Sequence, residues 1–223
     1  MVFRWGGGRG SYKFTDPWHF AQSKLVLNAL NLAELGSRSC RGVLEIGSGY
    51  GGLAYLLANT PKVETIVLVD IPLNLLTCFY FLKRSLPEGS NVVLHANQES
   101  LEQSKAQGGT GIHLVPSIFY ASLHDWPGLD LVCNFASFSE MDSETVDFYL
   151  RGLPESASVL LQINSNKPVL NTGNHTEVPL DNFTYPSKFV KIYEGPCVPS
   201  DSGKSRYKTT IHSLEKTSSG LTV

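Results

Sequence analysis

A run of glycines and two carboxylates carry the chemistry most readily read in this chain. Gly47, Ser48, Gly49, Tyr50, Gly51 and Gly52 follow the apolar stretch Val43 to Ile46 directly. The backbone can therefore turn sharply there and bring its N–H groups against a ligand with no Cβ in the way. Gly47, Gly49 and Gly52 satisfy the GxGxxG spacing of nucleotide-binding turns, and Asp70 ends the next apolar run. That is close to the spacing at which an acidic residue accepts hydrogen bonds from ribose hydroxyls. The pattern points to a nucleoside-containing ligand, the competing reading being a turn that serves only the fold. Glu45 stands two positions before the first glycine, on a run that is otherwise apolar. A carboxylate is costly to bury unless it meets a positive or hydrogen-bonding partner, so the ligand is expected to bring positive charge near its nucleoside. Loops that bind a nicotinamide dinucleotide usually carry an apolar residue at that position, which makes a nicotinamide-dependent oxidoreductase the second reading.

These residues need a scaffold of alternating strands and helices. Val43 to Ile46, Thr65 to Val69, Val92 to His95, Ile112 to Val115, Leu129 to Asn134 and Val159 to Ile163 read as short buried strands. Helices are expected over Leu53 to Ala58, from Pro72 to the stop at Pro87, and from Ser143 to Leu150 with Asp142 as N-cap and Gly152 as terminator. The polar stretch between Leu94 and Ile112 reads as a connection with loop glycines at Gly109 and Gly111. Periodicity alone does not decide which of its two flanking strands takes the third central position. Lys188 to Tyr193 and Tyr207 to Leu214 alternate apolar and polar side chains, as an antiparallel edge pair does. The fold class is therefore α/β, a Rossmann-like doubly wound sheet, mostly parallel, with an antiparallel hairpin at its C-terminal edge. Residues 1–40, with Trp5, Tyr12, Phe14, Trp18 and Phe20 ahead of a helix from about Gln22 to Leu35, form a separate covering segment before a domain at residues 41–223.

The acidic and glycine residues also carry a family likeness. LEIGSGYGG resembles motif I of the class I S-adenosylmethionine-dependent methyltransferases, with Asp70 in the place of the ribose-binding acid. VLEIGSGYGGLAYLL, VLVDIP, IHLVPSIF and DLVCNFASFSEM with its helix DSETVDFYL together resemble the sugar O-methyltransferases, bacterial enzymes related to polysaccharide biosynthesis, from about residue 41 to residue 152. The resemblance implies S-adenosylmethionine as cofactor. Glu45 would anchor its amino end, Gly47, Ser48, Gly49 and Gly51 would form the loop along its methionine part, Asp70 would bind the ribose, Ile71 would flank the adenine, and Ser117 would lie near the adenine edge. Asn134 would open the loop, running to Glu140, where donor and acceptor meet, with plain loop capping as the alternative for its side chain. The acceptor implied is a hydroxyl of a sugar or a similar small polar molecule.

A sugar hydroxyl has to lose a proton when it is methylated, and a base within hydrogen-bond reach helps. Glu140 is the first candidate because it follows the fourth strand, at the sheet end where such folds bind ligands; its other reading is a carboxylate favoured at the start of the next helix. His175, in a polar loop with Glu177 near it, is the second. The remaining histidines have no metal-ligand spacing, and the four cysteines form no CxxC pair, so neither a histidine or cysteine metal centre nor a disulfide framework is expected, while Glu140 with oxygen ligands leaves a magnesium site open. Eighteen basic against twenty acidic residues, a net charge of −2, give no global attraction to nucleic acid or to an anionic membrane. No apolar run reaches membrane-spanning length, and the expectation is a soluble, cytoplasmic protein. The third reading is a methyltransferase-like protein that binds the cofactor without catalysis.

Overall fold

The structure, a computed structural model, describes residues 2–3, 12–13, 17–34, 42–60, 62–166, 178–197 and 207–214. Its centre is an eight-stranded sheet. Strands β3 (Gly42–Ile46), β4 (Thr65–Asp70), β5 (Val92–Leu94), β6 (Gly111–Pro116), β7 (Leu131–Phe135) and β8 (Val159–Ser165) run parallel. Strands β9 (Phe189–Pro196) and β10 (Tyr207–Leu214) close one edge antiparallel, giving the order β5-β6-β4-β3-β7-β8-β10-β9. A separate two-stranded pair, β1 (Val2–Phe3) and β2 (Tyr12–Lys13), precedes them.

The central strands are apolar at nearly every position because both faces of the sheet are covered, and the pleat divides their side chains between two cores. Val43, Ile66, Leu68, Leu131, Cys133 and Leu161 pack with helices α1 (Pro17–Glu34), α2 (Gly52–Leu57) and α3 (Pro72–Ser85). Leu44, Val67, Val69, Val132 and Leu160 pack on the other face with α4 (Gln98–Ala106), α5 (Ser143–Arg151) and the 3-10 helix Ser117–Leu123. The doubly wound arrangement and the edge hairpin match the sequence expectation. Asp142 caps α5, its side chain accepting from Thr145 N at 2.7 Å.

Two elements differ from that expectation, and the sheet resolves one point that periodicity left open. Helix α4 occupies the stretch read as a connection; Asn97 caps it by accepting from Ser100 N at 2.9 Å, and Leu101 is its only fully buried side chain, so its sequence has little apolar periodicity to read. Helix α1 begins at Pro17, five residues before the expected start, because proline is well tolerated in a first helical turn. Strand β6, not β5, lies against β4, with Asp70 opposite Pro116, and β5 is the outer strand. Within the first core, α1 buries Val26, Ala29 and Leu30 beside α2. Two histidines serve the second face: His95 and His113 are buried and hydrogen-bond each other at 3.1 Å, and burial holds the His95 ring down to about 4.

No helix among the described residues is long and apolar enough to cross a membrane. No three His, Cys, Asp or Glu side chains among them gather as metal ligands, and Cys78, Cys133 and Cys197 are unbridged.

Candidate active site

The parallel strands all end on one edge, and the order reverses direction at β3, whose neighbours β4 and β7 leave on opposite sides. A crevice opens at such a reversal, outside the carboxyl ends of the strands. The glycine loop lies there. Gly47 N donates to Val69 O at 2.7 Å, and Gly51 N donates to Ser48 O at 3.0 Å where Gly51 stands as the N-cap residue of α2. Asp70, at the end of β4, ties the loop to the next helix. One carboxylate oxygen accepts from Gly49 N at 2.8 Å; the other accepts from Ile71 N at 2.7 Å and Asn74 Nδ2 at 2.9 Å.

The glycines divide by what they face. A Cβ on Gly47 would run into the Ser137 side chain, so this glycine is required by the approach of two protein segments as well as by its φ of +78°. A Cβ on Gly49, at φ +55°, would meet nothing within 4 Å. Gly49 is therefore the loop glycine whose outer side is open to a ligand. Gly47→Ala is expected to lower stability by roughly 2–3 kcal/mol, an overpacking cost added to left-handed strain, and Gly49→Ala by about 1 kcal/mol from strain alone. Urea melts of the two variants check this; equal losses would remove the distinction.

Glu45 points from β3 into the layer of α1, α2 and α3, opposite Leu68 and Cys133 in register, and is only 5% exposed. Its Oε2 is buried with no hydrogen-bond partner. Burial first, and the Asp70 charge second, push its carboxyl well above the usual carboxylate range. The Cys78 thiol shares this environment and is raised to about 12, by burial and then by Glu45 and Asp70. Ser48 is buried with the Cys78 thiol as its neighbour.

On the far side of the crevice, Asn134 is fully buried and wholly engaged. Its Nδ2 donates to Ile46 O at 2.8 Å and to Ser137 Oγ, and its Oδ1 accepts from Phe138 N at 3.2 Å and Asn164 Nδ2 at 2.8 Å. That uses every hydrogen-bonding position of an amide side chain, so Asn134 acts as a clamp on the loop, as the capping alternative has it. Asn164, whose Oδ1 also accepts from Ser139 N at 3.3 Å, extends the clamp to β8. Sequence reasoning passed over Asn164; its signal is a polar residue inside the buried run LLQINS. Between the clamp residues Ala136 sits at φ +61°, the one non-glycine left-handed residue among those described, with its N–H donating to Ile163 O at 2.7 Å. Such strain persists where the surroundings over-determine it, often beside functional clefts.

The remaining candidates lie around this centre. Ser117 starts the 3-10 helix after β6, with its side chain near the Tyr149 hydroxyl. Ile71, just after β4, and Ile118, in the 3-10 helix that follows β6, are exposed by 54% and 76%. Glu140 ends the 3-10 helix Phe138–Glu140 with an exposed side chain, its N–H donating to Ser137 O at 3.0 Å. His175 lies outside the described residues.

Comparison with known proteins shows which solved structures share the fold. No protein family matches the sequence, and no curated protein resembles it significantly. Solved structures do. The methyltransferase domain of bacterial CtHen1 aligns with a TM-score of 0.56 and 15% identity, over 88% of this chain and 100% of that one. Magnesium protoporphyrin IX methyltransferase from Synechocystis PCC 6803, solved with S-adenosylmethionine bound, aligns with a TM-score of 0.52 and 12% identity, over 93% of this chain and 86% of that one. The fold is that of the Rossmann-like methyltransferases.

Proposed function

We propose that this protein is an S-adenosylmethionine-dependent O-methyltransferase that acts on a hydroxyl of a sugar or a similar small polar acceptor. The observation that carries the reading is the buried, unpartnered carboxylate oxygen of Glu45 beside an open glycine loop. An ammonium group is the partner such an oxygen lacks, and a pyrophosphate is the partner it repels. Residue types and positions fit the cofactor: Glu45 for the amino end, the open side of Gly49 for the methionine chain, Asp70 for the ribose, and the exposed Ile71 with Ser117 and Ile118 for the adenine.

When bound, S-adenosylmethionine supplies a methyl group already activated on a sulfonium. The protein then has to align an acceptor oxygen and keep water out, and alignment of this kind contributes up to about 7–11 kcal/mol in favourable cases. The loop from Ala136 to Glu140 does the aligning in this reading, held by the Asn134 clamp and presenting the exposed carboxylate of Glu140 to a hydroxyl-bearing acceptor. Glu140 takes the hydroxyl proton, with His175 as the alternative base. A hydroxyl acceptor agrees with this carboxylate and with the sequence likeness to sugar O-methyltransferases.

The test is differential stabilisation. S-adenosylhomocysteine at concentrations far above its Kd is expected to raise the melting temperature, while NAD leaves it unchanged. Equal stabilisation by NAD, or none by the thioether, overturns the cofactor assignment. Methyl transfer from labelled S-adenosylmethionine to a panel of saccharides then tests the acceptor class separately.

A further inference from the structure

Helix α3 is apolar on two opposite faces. Its inner face, Leu75, Cys78 and Leu82, is fully buried against the sheet. Its outer face carries Leu73, Leu76 and Tyr80, spaced three to four residues apart and exposed by 71%, 56% and 60%. Ile71, just before the helix, is also exposed, by 54%. A surface helix normally turns a polar side to water, and a helix that is apolar all round normally has something on both sides. Single exposed leucines need no explanation, whereas a concentration of large apolar side chains on one stripe marks a contact surface.

Charge indicates what the contact is. The same stripe ends in Lys83 and Arg84, both exposed, and neither has a carboxylate partner among the described residues. Their cationic groups lie along the rings of Phe79 and Tyr80, at 5.8 and 5.6 Å from the ring centres. No Asp or Glu lies within α3. Packed against a second copy of itself, the stripe would offer apolar groups and cations but no anion to meet them. An anionic surface with an apolar layer beneath it satisfies both parts. We propose that the outer face of α3 docks on an anionic lipid bilayer, with Leu73, Leu76 and Tyr80 entering the headgroup boundary and Lys83 and Arg84 meeting lipid phosphates. The net charge of −2 gives the molecule as a whole no such attraction, so the contact is local and sensitive to salt. Because α3 follows Asp70 and Ile71 directly, docking would hold the mouth of the crevice near the bilayer.

Vesicle flotation of the full chain tests the proposal, with phosphatidylcholine alone against phosphatidylcholine containing one third phosphatidylglycerol. The protein is expected to float with the anionic vesicles only, and to be released as salt rises. Lys83→Gln with Arg84→Gln should lower partitioning by at least about tenfold, since each basic residue near an anionic surface contributes severalfold. Leu73→Ser with Leu76→Ser should abolish flotation, and because these side chains are exposed the melting temperature should hold. Three results overturn the proposal: no flotation, flotation that ignores vesicle charge or either variant pair, and a dimer in sedimentation that the leucine pair disrupts.

Discussion

Glu45→Gln should weaken S-adenosylhomocysteine binding by one to two orders of magnitude while leaving the free protein as stable as before, or more so. The two halves of that expectation have one cause. In the free protein the carboxyl is buried with an unpartnered oxygen, and burial pushes its pKa well above the usual carboxylate range. A hydrogen bond to a charged group is worth about 1.5–3 kcal/mol, so losing the contact to the ligand's amino end sets the drop in affinity. The sign of the pH dependence follows from the raised value. The unfolded chain gives up the Glu45 proton near pH 4.5 and the folded chain holds it to higher pH, so stability falls as pH rises from that point towards the folded value. Glu45→Gln removes this fall. Calorimetric titration with S-adenosylhomocysteine and urea melts across pH 4.5–8 measure both. Unchanged affinity would show that Glu45 does not face the ligand.

Asp70→Asn is expected to cost in both respects, and the accounting differs. The native carboxylate accepts from Gly49 N, Ile71 N and Asn74 Nδ2. An amide has one accepting oxygen and would turn its NH2 towards one of those donors, a loss of about 1–3 kcal/mol in stability. If Asp70 also accepts from the ribose, the Kd for S-adenosylhomocysteine should rise by about one to two orders of magnitude, since a charged acceptor contributes roughly 1.5–3 kcal/mol. Asn74→Ala separates the two roles, because it removes a protein donor and leaves the carboxylate intact. Affinity lost equally in both variants would reduce Asp70 to a tie between the loop and α3.

Much of the scaffold could be read in advance because strands covered on both faces have to be apolar, and Gly or Pro has to interrupt them. What escaped reading has a physical reason in each case. Helix α4 is polar almost all round and buries only Leu101 completely, so it carries a cap signal at Asn97 but no stripe. The positions of β5 and β6 depend on crossovers that two short apolar runs do not encode. In the site, the glycine loop, Glu45 and Asp70 stand where their spacing suggested. Which glycine faces a ligand was not legible, since Gly47 is fixed by Ser137, ninety positions later, and Gly51 by Cys78. Asn134 reads as a loop-facing polar residue, and only the approach of Ile46 and Asn164 makes it a clamp.

That clamp also sets an order in time. Asn134 joins Ile46, eighty-eight positions earlier in the chain, to Asn164, thirty positions later. Closing loops of that length costs entropy before any contact rewards it, so the far contacts form last. A nascent chain emerging from the ribosome presents its glycine loop long before β8 exists to brace it. The crevice is thus a late product of synthesis. A chain interrupted before Asn164 would contain every residue of the glycine loop and still lack the bracing that fixes the opposite wall.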